Sequence, residues 1–356
     1  MLIFVKNSSM RFLFPALVIV IIVTIIGCRP EDLQTPRGTT PIGSSSGIVQ
    51  KPEDCWGMLF MDDKLYVSSA EGLFWTSDLG QNWKKVSGGG LPTGGTTYVQ
   101  AQRGVFFVGM ESGGLYISLD SGQTWQQSLD VSYKTNIGYA PSLLLFKGDT
   151  VFLSARTKDN LTNMIMRSSE RGAPNSWVQY AAEIGTVVFH GFINIGNTIY
   201  AFSQDGQIFS STTESGYNDW KYLNNIPGIR ENYFPLLWGN VVVMPTGQGV
   251  YFSSDNCQSW KAENIGLPGK AYCVSVVANK STLFVSTGTA DGAFTGIYWR
   301  KNNSTEWKVV NANIPIGSRT GDNAHYVLTM LATDTHLFIG THGFGVKILE
   351  LSKILP

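Results

Sequence analysis

Two stretches of the chain set the reading of its fold: Leu65-Tyr66-Val67-Ser68-Ser69-Ala70-Glu71-Gly72-Leu73-Phe74-Trp75-Thr76-Ser77-Asp78-Leu79-Gly80-Gln81-Asn82-Trp83, and the run from Phe106-Phe107-Val108-Gly109 to Trp125. Each opens on a short apolar run, bends at a glycine, and returns on a second apolar run (Leu73-Phe74-Trp75; Leu115-Tyr116-Ile117). Each then crosses a polar bend to a tryptophan. The first run recurs at Val151-Phe152-Leu153, Ile199-Tyr200-Ala201, Val242-Val243-Met244, Leu283-Phe284-Val285 and Leu337-Phe338-Ile339, with starts 41, 45, 48, 43, 41 and 54 residues apart. Seven copies of one hairpin at a period in the forties, with room for four short strands per unit, predict a single all-β, seven-bladed β-propeller of four-stranded antiparallel blades.

The tryptophans count the repeat independently. Trp83, Trp125, Trp177, Trp220, Trp260 and Trp307 each follow the second strand of a hairpin at a similar distance. In the bends before Trp83 and Trp125, Asp78 and Asp120 can accept hydrogen bonds from turn N–H groups, and Gly80 and Gly122 permit a positive φ. The indole can then bury beneath the turn. The segments Thr76–Trp83 and Ser118–Trp125 resemble the Asp-box repeats, S/T-x-D-x-G-x-x-W, of sialidase-type propellers. Ser253–Trp260 departs in placing Cys257 where glycine is expected, with Asp255 and Trp260 in place. Ser168–Trp177 and Thr212–Trp220 are stretched and carry Glu170 and Glu214, while Arg300–Trp307 keeps little beyond its tryptophan. The resemblance implies that these carboxylates hold their own turns, away from any ligand face. The seventh hairpin has no tryptophan after it, so residues near Gly47–Pro52 are expected to supply the outer strand of the last blade and close the ring, since an open ring would expose an unpaired edge.

Lys6 and Arg11 precede an apolar run from Phe12 to Ile26, too short for a spanning helix and suited to a secretory signal. Its end, Ile25-Ile26-Gly27-Cys28, resembles the lipobox of bacterial lipoproteins, which implies cleavage before Cys28 and lipidation of its thiol. The expected organisation is therefore a signal peptide over 1–27, a flexible tether over 28–46 rich in Pro, Gly, Ser and Thr, and a propeller over 47–356. The address is the bacterial cell envelope, anchored to the membrane through Cys28. Cys55, Cys257 and Cys273 show no CxxC spacing and read as buried apolar residues, with a Cys257–Cys273 bridge left open.

Charge and composition narrow the function. Twenty-six basic residues balance 26 acidic ones, which argues against a nucleic-acid partner. The 43% hydrophobic content and 39 glycines suit many short strands and tight turns and argue against a disordered chain. No phosphate loop, dinucleotide fingerprint or metal-ligand spacing occurs, so neither cofactor nor metal is expected. Polar variety concentrates in the loops Ser128–Pro141, Asn224–Pro235 and Asn311–His325 between blades, and Ala155–Asn163 and Thr287–Thr295 within them. Arg156, Arg230, Glu231, Tyr233, Arg319, Asp322, His325 and Tyr139 there have the composition of a binding surface, and His190 and His342 can reach the same face. A sialidase would clamp a carboxylate with three arginines, the first in an early blade, yet no arginine lies between Arg37 and Arg103. The sequence therefore points to a monomeric, non-catalytic module that binds a glycan or an envelope protein. The alternatives are a divergent sialidase-like glycoside hydrolase and an assembly factor resembling the single-propeller photosystem assembly proteins.

Overall fold

The structure is a computed structural model that describes residues 51–102, 104–135, 143–157, 159, 163–180, 187–227, 229, 234–269, 271–289, 294–310 and 327–355. Each repeat is an antiparallel meander. In blade 1 the strands are Gly57–Met61, Lys64–Ser69, Gly72–Thr76 and Lys84–Lys85, hydrogen-bonded in that order. Five of the other repeats build the same four-stranded unit, one of them with an added strand, and the last shows three of its strands among the described residues, giving seven blades. First strands of several neighbouring blades pack on one another, and the first strand of blade 7, Val327–Ala332, packs on that of blade 1, so the ring is closed. Second strands are covered on both faces by adjacent blades. Their centres are therefore apolar and buried, as in Val105–Met110, every residue of which is buried.

Seven apolar clusters fill the seven junctions between blades among the described residues. Each repeat tryptophan packs backward, against the preceding blade. Trp125 lies with Tyr66 and Trp75 of blade 1, Trp220 with Phe152 and Ile165 of blade 3, and Trp83 with Phe338 of blade 7. Backbone bonds reinforce this step: the Trp125 N–H donates to the Gly89 carbonyl at 2.6 Å and the Trp307 N–H to that of Ile265 at 2.8 Å. At the junction of blades 6 and 7, where blade 7 has no tryptophan to offer, the terminal helical turn Leu351–Ile354 supplies the missing volume. Leu351 is buried there against Phe284, Trp299 and Leu337, with Ile354 and Leu355 beside it.

Among the described residues the last blade has three strands, ending with Val346–Glu350. The chain entering blade 1 is tied to it: the Gly345 N–H donates to the Glu53 carbonyl at 2.8 Å, and the Cys55 N–H to the Thr341 carbonyl at 3.1 Å. Gly345 has φ +71°, and a Cβ there would stand 2.7 Å from the Pro52 carbonyl oxygen, so only glycine fits beside the incoming chain. Most of the expected closing strand, Gly47–Gln50, lies outside the described residues. So do the signal peptide, the tether and Cys28. Blade 3 carries an addition the repeat does not foretell: Tyr133–Thr135 pairs with the end of its second strand, Thr150–Thr157. Cys55, Cys257 and Cys273 are buried and unbridged.

Candidate functional site

An antiparallel meander sends its turns alternately to the two faces of the ring. The bends between third and outer strands, which hold the Asp-box-like sequences, share one face with the hairpins joining first and second strands. The turns between second and third strands share the other face with the blade-to-blade loops. On the first face, Asp78 Oδ1 accepts from the Thr76 hydroxyl at 2.7 Å and the Asn82 N–H at 2.9 Å, and Oδ2 from the Asn82 amide at 2.7 Å. Asp255 makes the equivalent bonds to Ser253 and to the Ser259 N–H and hydroxyl. Asp120 takes Ser118, Gln123 and Thr124. These donors hold Asp78 and Asp255 down at about 2. At Asp120 partial burial pushes upward, and the hydrogen bonds from Thr124, Ser118 and Gln123 outweigh it, so its pKa too is lowered. Carboxylates spent on their own turns have little capacity left for a ligand. In blade 6, where the box is degenerate, Arg300 stands in the Ser/Thr position. Its buried guanidinium bonds Glu263 at 2.7 Å and packs over Phe252 and Trp307.

The loop face is uneven. Blades 3 and 6 have the longest hairpins, Thr150–Thr157 with Asn163–Ser168 and Thr282–Gly288 with Phe294–Lys301, and both lengthen toward this face. At about 3.3 Å per residue, an eight-residue strand spans about 26 Å. Arg156 sits near the top of the first hairpin, opposite Asn163 on one side and Lys134 on the other. Among the described residues its Nε is buried without a hydrogen-bond partner. On the blade 6 hairpin the hydroxyls of Thr287 and Thr295 meet at 2.7 Å. His190 stacks near Phe234 at 5.4 Å between centroids, at the top of the first strand of blade 4.

Of the expected ligand residues, Arg156 alone is described. Tyr139, Arg230, Glu231, Tyr233, Arg319, Asp322 and His325 lie outside the described residues. Reading the sequence for loops with varied polar residues passes over one further cluster on this face, at the junction of blades 7 and 1. There Asp54 Oδ1 receives His342 Nδ1 at 2.5 Å and the Gly343 N–H at 2.8 Å, and Phe344 stands 51% exposed in the same turn. Asp54 and His342 lie 288 residues apart and belong to no motif, so only the closed ring brings them together. Among the described residues no three His, Cys, Asp or Glu side chains are grouped to hold a metal, and no helix is long and apolar enough to cross a membrane.

No protein-family model and no curated protein sequence matches the chain. Solved structures do. YCF48 bound to a D1 peptide is similar with a TM-score of 0.58 at 15% identity, over 85% of this chain and 94% of that one. The extracellular domain of BT4673 from B. thetaiotaomicron gives 0.61 at 12%, over 84% of this chain and 38% of its own. The GH74 enzyme of Niastella koreensis gives 0.58 at 16%, over 84% and 43%. The chain thus spans less than half of the last two and nearly all of the first. At these identities the likeness is one of fold alone: the protein is a seven-bladed β-propeller.

Proposed function

We propose that this propeller is a non-catalytic capture module of the bacterial cell envelope, tethered through Cys28, that binds an extended polypeptide segment of an envelope protein across its loop face. The observation that carries the reading is Arg156. Among the described residues its Nε is buried without a hydrogen-bond partner, on a raised hairpin whose backbone is in register with that of Lys134. A buried, unsatisfied charged donor is costly unless a ligand completes it. The raised hairpins of blades 3 and 6 stand three blades apart in a ring of seven, nearly opposite one another, and in this reading flank the bound segment. The similar single propeller that matches almost end to end was solved with a peptide bound, which favours polypeptide over glycan. The lipobox-like end at Cys28 supports the envelope address, and the extracellular setting of one similar propeller agrees with it.

The test is a binding and hydrolysis screen of the full chain in mild detergent against peptide and glycan arrays. Peptide binding that weakens about tenfold in Arg156→Ala, the loss expected on removing one charge-assisted hydrogen bond, supports the reading. Cleavage of any glycoside overturns its non-catalytic part, and binding confined to glycans overturns the polypeptide part.

A further inference from the structure

We propose that the rim groove between blades 3 and 4 is a second interaction site, which takes the side-chain carboxylate of an acidic polypeptide segment. Strand register places its walls, because residues directly opposite one another on neighbouring strands project from the same face of a sheet. Val178, on the outer strand Trp177–Tyr180 of blade 3, lies opposite Arg167, and Arg167 lies opposite Phe152, which packs into the junction with blade 4. Tyr222, on the outer strand Lys221–Asn225 of blade 4, lies opposite Phe209, which packs into the same junction from the other side. Val178 and Tyr222 therefore face one another across the mouth of the groove, 55% and 56% exposed. Beneath them are Tyr217 and Trp220, which stand edge-on to Phe152 at 5.4 and 6.3 Å between ring centroids. Both are more than nine-tenths buried. Neither the Tyr217 hydroxyl nor Trp220 Nε1 has a hydrogen-bond partner among the described residues.

The repeat itself does not call for two orphaned donors at one junction. In three other blades the indole N–H is spent: Trp125 donates to the Gly122 carbonyl at 3.0 Å, Trp177 to the Ser128 hydroxyl at 2.8 Å and Trp307 to the Glu263 carbonyl at 2.7 Å. Trp260 lacks a partner as well, without a second orphaned donor beside it. Tyr217 is unusual in its backbone too. It stands three residues before its tryptophan, where blades 1 and 2 have Gly80 and Gly122, and holds φ +62°. A bulky residue in the left-handed region is strained, and a buried donor without an acceptor adds a further cost. Both costs fall on a side chain that a ligand's acceptor would complete. Charge selects that acceptor. Burial raises the Tyr217 phenol above its ordinary range, and the positive charge of Arg167 pulls it back, so a guanidinium acts at this point. Glu214 and Asp219 in the same bend are exposed, and Asp219 is paired with Lys221 at 2.8 Å. Two neutral donors beside a guanidinium match a carboxylate, which accepts from both and gains from the charge. Width decides between a peptide and an acidic sugar. Both donor atoms are out of contact with water below the two walls, within reach of a carboxylate on a slender methylene stem and out of reach of one borne directly on a sugar ring. Apolar side chains flanking the acidic residue would rest on Val178 and Tyr222. The groove lies on the rim, so this site is separate from the loop face and from Arg156.

The experiment is an NMR titration of the full chain in detergent with the peptide acetyl-Val-Glu-Leu-amide, read at the Trp220 indole N–H, which is assigned by its absence in Trp220→Phe. The glutamine counterpart, which has the same shape and no charge, and methyl glucuronide serve as comparisons. A saturable shift of that indole with the glutamyl peptide is expected, with the glutamine peptide about tenfold weaker. Tyr217→Phe, which keeps the ring and removes the hydroxyl, should weaken binding several-fold while the melting temperature holds or rises, since it also removes a buried unpaired group. Tyr222→Ala, on the surface, should weaken binding and leave the fold intact, so it remains informative if Tyr217→Phe disturbs the bend. Arg156→Ala should change nothing at this site. Equal response to the glutamine peptide, a response confined to the glucuronide, or binding unchanged in both tyrosine variants overturns the proposal. So does a shift that is lost in Arg156→Ala, which would place the carboxylate on the loop face.

Discussion

At the scale of single residues, the bends before the tryptophans explain both what the sequence discloses and what it hides. The Asp78 and Asp255 carboxylates are fixed by donors from within their own turns and held at about 2, against about 3.9 for an unperturbed aspartate. A group whose pKa is lower in the fold than in the unfolded chain stabilises fully above its unfolded value, and that contribution disappears as pH falls toward its folded value. Thermal stability should therefore drop between about pH 4 and pH 2, and the drop should be shallower in the double variant Asp78→Asn, Asp255→Asn; parallel curves would show that other groups set the acid limit. Gly172 makes a second case. It has φ +81°, and a Cβ would come within 2.8 Å of the Phe107 ring in the neighbouring blade. Gly172→Ala should cost about 2–4 kcal/mol in denaturant unfolding, from backbone strain and overpacking together. At the corresponding position of blade 5, Cys257 accepts φ +64° and buries its thiol among Tyr200, Phe202 and Met244. The departure from the glycine pattern is thus a trade of strain for packing, which no sequence motif could have announced.

At the scale of elements, the second strands were readable because neighbouring blades cover them and their centres must be apolar, whereas third strands such as Val346–Glu350 are only partly covered. The outer strands left a fainter signal. Lys84–Lys85, Lys261–Ala262 and Lys308–Val309 are two residues long, with lysine at the exposed edge, a composition that discourages pairing with another sheet. Their place in the chain is marked only by the tryptophan before each. Blade 7 has no such tryptophan, and its substitute, the turn Leu351–Ile354, could not be read in advance because four residues carry no periodicity. Its importance is open to measurement. Leu351→Ala should lower stability by about 2–4 kcal/mol, the usual cost of emptying a buried leucine site. Ser352→Ala, on the exposed side of the same turn, should change it by less than about 0.5 kcal/mol. Equal effects would mean that the turn is an ornament and not a plug. The raised hairpins of blades 3 and 6 show the same limit: their unusual spacing was visible as long loops, but that part of each loop continues the ladder emerged only from strand register.

At the scale of the whole molecule, the closed ring is what turns seven weakly self-sufficient blades into one unit, and it also creates the corner that holds Asp54 against His342. Candidate residues inside recognisable loops, such as Arg156, could be picked out by composition. Asp54 could not, because its significance comes from contact between the two ends of the propeller. Each junction between blades is filled from both sides, so a blade without a neighbour exposes half a core. The junction of blades 7 and 1 contains Cys55, Met58, Val67, Phe74, Trp83 and Phe338, all buried, and chain connectivity does nothing to hold it shut. That task falls to the segment entering blade 1. Its described end already bonds Thr341 and Gly345, and its upstream part is expected to run along Val346–Glu350. Deleting Gly47–Pro52 should therefore lower the melting temperature and replace a single cooperative transition with a broad one, as blades 7 and 1 come apart first. Hydrogen exchange should show the loss of protection starting at Gly57–Met61 and Val327–Ala332 and fading toward blade 4. Gly345→Val, which forces a side chain against the Pro52 carbonyl, should reproduce the pattern without removing a residue. An unchanged melting curve for the deletion, with protection intact on both sides of the junction, would mean that the ring is held by its apolar contacts alone and that the entering segment is not its clasp.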